Sequence, residues 1–173
     1  MKKILIATML MSGIFLYGIS EAVPTKLVIR AKSKDAKFVG TSMGGALITV
    51  KDSETGKVLA EGLTSGSTGN TGKIMIEPKT RFGTISDGAA KFETSIDISE
   101  PALITIEVDA PLSTKPSMIK SSTQLWLIPG KDITGEGIII EIPGFSVVAR
   151  APEKISMTGS KAVIPFQSRI VMI

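Results

Sequence analysis

The chain has 173 residues, a formal charge of +4, and neither histidine nor cysteine. That length suits one domain with a single sizeable core. The missing imidazoles and thiols exclude a Ser-His-Asp or Cys-His nucleophile, an imidazole or thiolate metal centre, a disulfide and a lipidated cysteine, so no metal and no cofactor is expected and the fold must stand on packing.

At the start, Lys2 and Lys3 precede an apolar run from Ile4 to Ile19, and Ser20-Glu21-Ala22 follows with small residues at −3 and −1. This is the pattern of a secretory signal peptide over residues 1–22, cut after Ala22. The run is shorter than the roughly 20 residues a membrane anchor needs. The expected product begins at Val23, is periplasmic or secreted, is not an integral membrane protein after processing, and carries +3 because two lysines and one glutamate leave with the leader. Next come Lys26, Arg30, Lys32, Lys34 and Lys37, a basic cluster read as the solvated face of a strand and loop. With six Phe, one Tyr and one Trp in the chain, too few aromatics interleave with it for a nucleic-acid surface, so no nucleic acid partner is expected.

From there the pattern has a period of two. Ala46, Ile48 and Val50 alternate with polar neighbours, as do residues 91–98 and 103–109. Further strands are expected at 26–31, 57–63, 73–77, 123–128, 138–142, 145–149, 162–166 and 169–173, with turn signals at Ser53-Glu54-Thr55-Gly56, Pro129-Gly130 and Pro143-Gly144. Many short strands at such spacing predict an all-β sandwich spanning residues 23–173 as a single domain.

Gly45-Ala46-Leu47-Ile48-Thr49-Val50-Lys51-Asp52, then Thr55-Gly56-Lys57-Val58-Leu59-Ala60-Glu61-Gly62-Leu63-Thr64, resembles the first half of carboxypeptidase regulatory-like, transthyretin-like domains. In that family a "GA" opens a strand, a "D..TG" turn reverses it and "LA.G.T" returns. The resemblance covers about a third of the chain and implies an Ig-like, transthyretin-like antiparallel β-sandwich; it implies no common activity. The family places Asp-x-x-Gly-x-Phe directly after the Thr. Here Asp87-Gly88-Ala89-Ala90-Lys91-Phe92 comes later, and an inserted loop at about residues 65–86 opens the crossing.

The insertion begins Ser65-Gly66-Ser67-Thr68-Gly69-Asn70-Thr71-Gly72-Lys73, which invites comparison with a phosphate cradle. That motif needs a glycine where Ser67 stands, a hydroxyl where Ile74 stands, and a following helix, so no nucleotide is expected. Ser67, Thr68, Asn70, Thr71 and Lys73 are instead candidate binding-loop residues on an exposed connection carrying few buried contacts. Ser117-Met118-Ile119-Lys120 matches a Ser-x-x-Lys pair without its partner motifs. Glu141, set between Ile140 and Ile142, is the one carboxylate in an apolar setting, and reads first as the outward residue of a strand. Trp126 sits on a strand apolar on both sides; it belongs either to the core, with the C-terminal tail over the opposite face, or to a partner or carbohydrate contact. The sequence therefore points to an exported, non-enzymatic binding or structural module of the cell envelope or a secreted assembly, with a protein or polysaccharide of the envelope as partner. A carboxylate-based hydrolase acting on an extracytoplasmic glycan, and a scaffold subunit with no ligand of its own, are its rivals.

Overall fold

The computed structural model describes residues 21–113 and 115–173, so the expected leader lies outside the described residues apart from Glu21 and Ala22. The structure is all-β. Its strands are β1 (Val23–Ser33), β2 (Leu47–Asp52), β3 (Val58–Leu63), β4 (Phe92–Ile98), β5 (Ala102–Ala110), β6 (Ile119–Leu127), β7 (Ile133–Ile142), β8 (Phe145–Arg150), β9 (Met157–Thr158), β10 (Lys161–Ala162) and β11 (Gln167–Met172).

Two sheets form the body. One has the order β4-β1-β7 and the other β3-β2-β5-β6. Alternation sends Ile48 and Val50 from β2, and Ile104, Ile106 and Val108 from β5, toward Leu27, Ile29 and Ala31 of β1 and Ile140 and Ile142 of β7, and all of them are buried in one cluster. The middle of the larger sheet's outer face is charged, where Lys51 lies 2.9 Å from Glu107 and Lys120 lies 3.5 Å from Asp109, while Leu47, Leu63, Leu103 and Trp126 bring apolar surface to the same face. The hydrogen bond from Lys51 holds the Glu107 carboxyl below its ordinary range. On so exposed a face these pairs contribute little to stability.

The hairpin between β2 and β3 forms as the turn residues require. The Asp52 Oδ1 accepts from the Thr55 N–H at 2.7 Å, the Thr55 hydroxyl at 2.7 Å and the Glu54 N–H at 3.1 Å, and Gly56 takes the left-handed backbone that closes the turn. No helix among the described residues is long and apolar enough to cross a membrane.

Four features differ from the expectations. β1 and β7 run parallel, so the smaller sheet is mixed. Residues 73–77 hold no strand: Gly72–Ile76 coil into one π-helical turn, closed by the Glu77 N–H donating to the Gly72 carbonyl at 2.9 Å. Three alternating apolar residues are too few to distinguish the two outcomes, and only Ile74 of the three is buried. Residues 163–166 likewise form no strand. Finally, the basic cluster is not wholly solvated. Arg30 and Lys32 are buried, because β1 is the central strand of its sheet and a further layer of chain covers its second face.

Candidate functional site

The covering layer is the insertion between β3 and β4. Its first residues are stitched to the body on two sides. Ser65 exchanges both backbone hydrogen bonds with Lys91, the Ala90 N–H donates to the Ser67 carbonyl at 2.8 Å, the Thr41 N–H donates to the Gly66 carbonyl at 3.0 Å, and the Phe38 N–H donates to the Thr68 carbonyl. Beneath lies a second apolar cluster of Phe38, Ile74 and Ala89, with Ile85 and Ile139 packed against it. Gly69 passes over that cluster with φ +83°, and a Cβ there would meet the Ile74 side chain at 2.7 Å. Only glycine fits both the backbone and the space. Residues 65–72 are exposed or half-buried, which matches the expectation of an exposed connection, but the segment is not free: backbone hydrogen bonds fix it to the body, and the insertion contributes Ile74 and Ile85 to the small cluster beneath.

Opposite the insertion, β7 bulges. Leu27 pairs with Ile133 and Ile29 with Ile138, so Thr134-Gly135-Glu136-Gly137 stand where Val28 alone faces them across the ladder. Gly135 and Gly137 both have positive φ, and a Cβ on Gly137 would strike the Val28 carbonyl. The bulge aims Glu136 outward from the strand. Its Oε1 accepts from the N–H groups of Ile85 at 2.7 Å and Ser86 at 2.9 Å, which ties the far end of the insertion to β7.

Arg30 joins the same three parts. Its guanidinium donates to the carbonyls of Ala89 and Ala90 on the insertion side and to those of Gly135 and Glu136 on the bulge. Burial lowers its pKa below the ordinary value for arginine, and the charges of Glu136, Glu93 and Asp87 oppose that shift. The planar fork of arginine suits a site where several carbonyls converge. Lys32 lies behind it, donating to the Ser33 carbonyl and 3.7 Å from Glu141.

Between the insertion and the bulge run two adjoining open clefts of about 380 and 400 Å³ that share Thr84 and Glu136. The first is lined also by Lys73, Glu77, Lys79 and Gly83, the second by Arg30, Ser65, Asp87 and Lys91. Lys73 and Asp87 form an ion pair of 2.7 Å, and that hydrogen bond holds the Lys73 ammonium above its ordinary pKa. The floor is therefore backbone held by hydrogen bonds from Arg30 and Glu136, and the rim carries both signs of charge. Such a surface can accept hydrogen bonds from, and donate them to, a polar chain lying along it.

Of the five loop candidates, Lys73 alone lines a cleft. The Ser67 hydroxyl donates to the Gly88 carbonyl at 2.7 Å and accepts from the Gly69 N–H, and the Asn70 side-chain oxygen accepts from the Lys73 N–H. Thr68 contributes its carbonyl to Phe38, and Thr71 is exposed. Trp126 is 59% exposed on the outer face of β6, across from Leu103 on β5, and the C-terminal strands pair with each other rather than over it. Glu141 points outward at Lys32. Lys120, the lysine of the Ser-x-x-Lys match, faces Glu107 and Asp109 across the larger sheet.

Sequence reasoning missed Arg30, Thr84 and Glu136. The glycines flanking Glu136 were a readable signal of a bulge, since paired glycines inside an apolar strand are costly unless the backbone needs them. Among the described residues no group of three or more acidic, histidine or cysteine side chains could hold a metal ion. No protein-family model, curated protein or solved structure matches the chain.

Proposed function

We propose that the protein is an exported, non-enzymatic binding or structural β-sandwich module of the cell envelope or of a secreted assembly, of the transthyretin-like kind that its β2–β3 hairpin resembles. One observation carries this reading. The insertion that distinguishes the chain from that hairpin pattern is fixed to β1 and β7 through Arg30 and Glu136, and creates an open cleft whose rim carries both signs of charge. Binding residues on loops held by a rigid scaffold are a common arrangement, and preorganisation lowers the entropic cost of association. A protein or polysaccharide of the envelope, extended and rich in hydrogen-bonding groups, matches the mixed charge and open shape of the cleft.

The test is a titration of the protein with neutral and acidic oligosaccharides and with extended peptides, followed by backbone amide NMR. Shifts should gather at Thr84, Ile85 and Ser86 and vanish in Lys79→Ala/Thr84→Ala, whose side chains are exposed and not needed for folding. Shifts confined to other surfaces would refute the cleft as the binding site. Turnover of a glycan that disappears in a folded Glu141→Ala variant would instead establish the hydrolase.

A further inference from the structure

Residues 143–172 form an arm whose base is anchored by Ile173, which is buried in the main core cluster. β8 and β11 pair only with each other, and β9 with β10, joined through Gly159-Ser160, forms a small hairpin at the far end. In the ribbon Phe145 faces Met172 and Val147 faces Ile170, so all four side chains share one face, and all four are exposed. Farther out Ile155, Met157, Val163, Ile164 and Phe166 are exposed as well, with Val163 reaching 88%. An isolated two-stranded ribbon showing this much apolar surface to water is unfavourable, so something covers it.

Charge says what. Residues 23–142 hold 14 basic and 14 acidic side chains and are neutral overall. The arm holds Arg150, Lys154, Lys161 and Arg169 against Glu153 alone, so the whole +3 of residues 23–173 resides there. Among the described residues five of the 14 basic side chains of the body, Lys32, Lys51, Lys73, Lys91 and Lys120, pair with carboxylates, and none of the four arm cations forms a salt bridge. Arg150 pairs with Gln167, which places Arg169 diagonally beside it on the ribbon face opposite Phe145, Val147, Ile170 and Met172, and with Val148 and Phe166 they line an open hollow of about 570 Å³. Two guanidiniums beside an aromatic and an aliphatic side chain suit a phosphate with an apolar tail beneath it.

From this we infer that the arm is a docking element for an anionic lipid bilayer surface. A second copy is disfavoured, because stacking would bring together two arms that each carry +3. The outer edges of β8 and β11 are unpaired among the described residues, so the arm rests at headgroup depth and does not enter the hydrocarbon, where open edges go unsatisfied. The apolar tip residues reach into the boundary between headgroups and acyl chains while the arginines and lysines hold the phosphates. This assignment is independent of the cleft.

The experiment is co-sedimentation of the full chain with vesicles of phosphatidylglycerol and phosphatidylcholine, and with phosphatidylcholine alone. Binding should require the anionic lipid and be lost in high salt. Arg150→Gln/Lys154→Gln/Lys161→Gln/Arg169→Gln should weaken it about a hundredfold, as expected from roughly half a decade or more per cation. Val163→Ser/Phe166→Ser should weaken it as well while leaving the melting temperature unchanged. No binding to anionic vesicles, or equal binding by the quadruple variant, overturns the proposal. Retention on an acidic protein without vesicle binding would give the arm a protein partner, and a concentration-dependent dimer that ignores lipid would give it a second copy; either overturns it too.

Discussion

The body and the arm are made of the same kind of strand, yet they solve opposite problems. β5 and β8 both alternate, but Ile104, Ile106 and Val108 vanish into a two-sheet core while Phe145 and Val147 remain in water. The body balances its basic and acidic side chains to zero, and the arm carries an excess of three positive charges. Alternation therefore specifies a strand with an apolar face; it does not specify what that face meets. The insertion shows the same lesson from the other side. Its glycine-rich start carries no large apolar side chain until Ile74, yet backbone hydrogen bonds and one small cluster make it part of the body.

The sharpest way to widen the contrast is to truncate one apolar side chain to alanine in each region. Ile106→Ala should cost about 4 kcal/mol in chemical denaturation, because the site lies between two sheets that cannot collapse onto the cavity. Phe166→Ala should change stability by less than about 0.5 kcal/mol, since the side chain has little burial to lose. A comparable loss at Phe166 would mean that the arm is packed, and the comparison would fail.

Arg30→Met comes next. It keeps the aliphatic stem but leaves the carbonyls of Ala89, Ala90, Gly135 and Glu136 without their donor, at a cost of about 3 kcal/mol. A neutral result in a thermal melt would show that water replaces the guanidinium and that the insertion is held by other means. Gly69→Ala should cost about 2 kcal/mol, from the left-handed backbone and the Ile74 contact together. Stability unchanged in this variant would return the segment to the status of an exposed linker.

How much of this was legible follows from the range of each signal. Strand identity is local, and β2, β4 and β5 emerge from alternation to within a few residues. The Asp52 turn is local as well. Pairing is not: nothing in Leu27-Val28-Ile29-Arg30 says that β7 will lie parallel beside it, or that the face carrying Arg30 and Lys32 will be roofed over. Those cations read as solvated because Lys and Arg almost always are, unless convergent carbonyls satisfy them. Of the cleft, only Lys73 was visible, since Thr84 and Glu136 become neighbours through a bulge 50 residues away from the insertion. The arm's strands could be read, but not its exposure, which depends on what the rest of the chain leaves uncovered.

The smallest effect concerns the β2–β3 turn, which belongs to the body yet lies in solvent. Hydrogen bonds from the Thr55 hydroxyl and N–H hold the Asp52 carboxyl below its ordinary value of 3.8. Since the folded pKa is the lower one, its contribution is present in full above that ordinary value and fades as pH falls through the depressed value. Asp52→Asn should therefore lower stability slightly in the neutral region and leave it nearly unchanged at strongly acid pH, so that the acid limb flattens. An acid limb identical to the parent's would show that the turn contributes nothing to pH dependence.

Residue-resolved hydrogen exchange on the native protein addresses the division between body and arm most directly. The N–H groups of Phe38, Thr41, Ala90 and Lys91, which anchor the insertion, should exchange as slowly as those of β2 and β5, and the N–H groups of β8 and β11 should exchange orders of magnitude faster. Fast exchange at Phe38 and Ala90 together with slow exchange along β8 and β11 would reverse the assignment, making the insertion the mobile segment and the arm a fixed part of the fold.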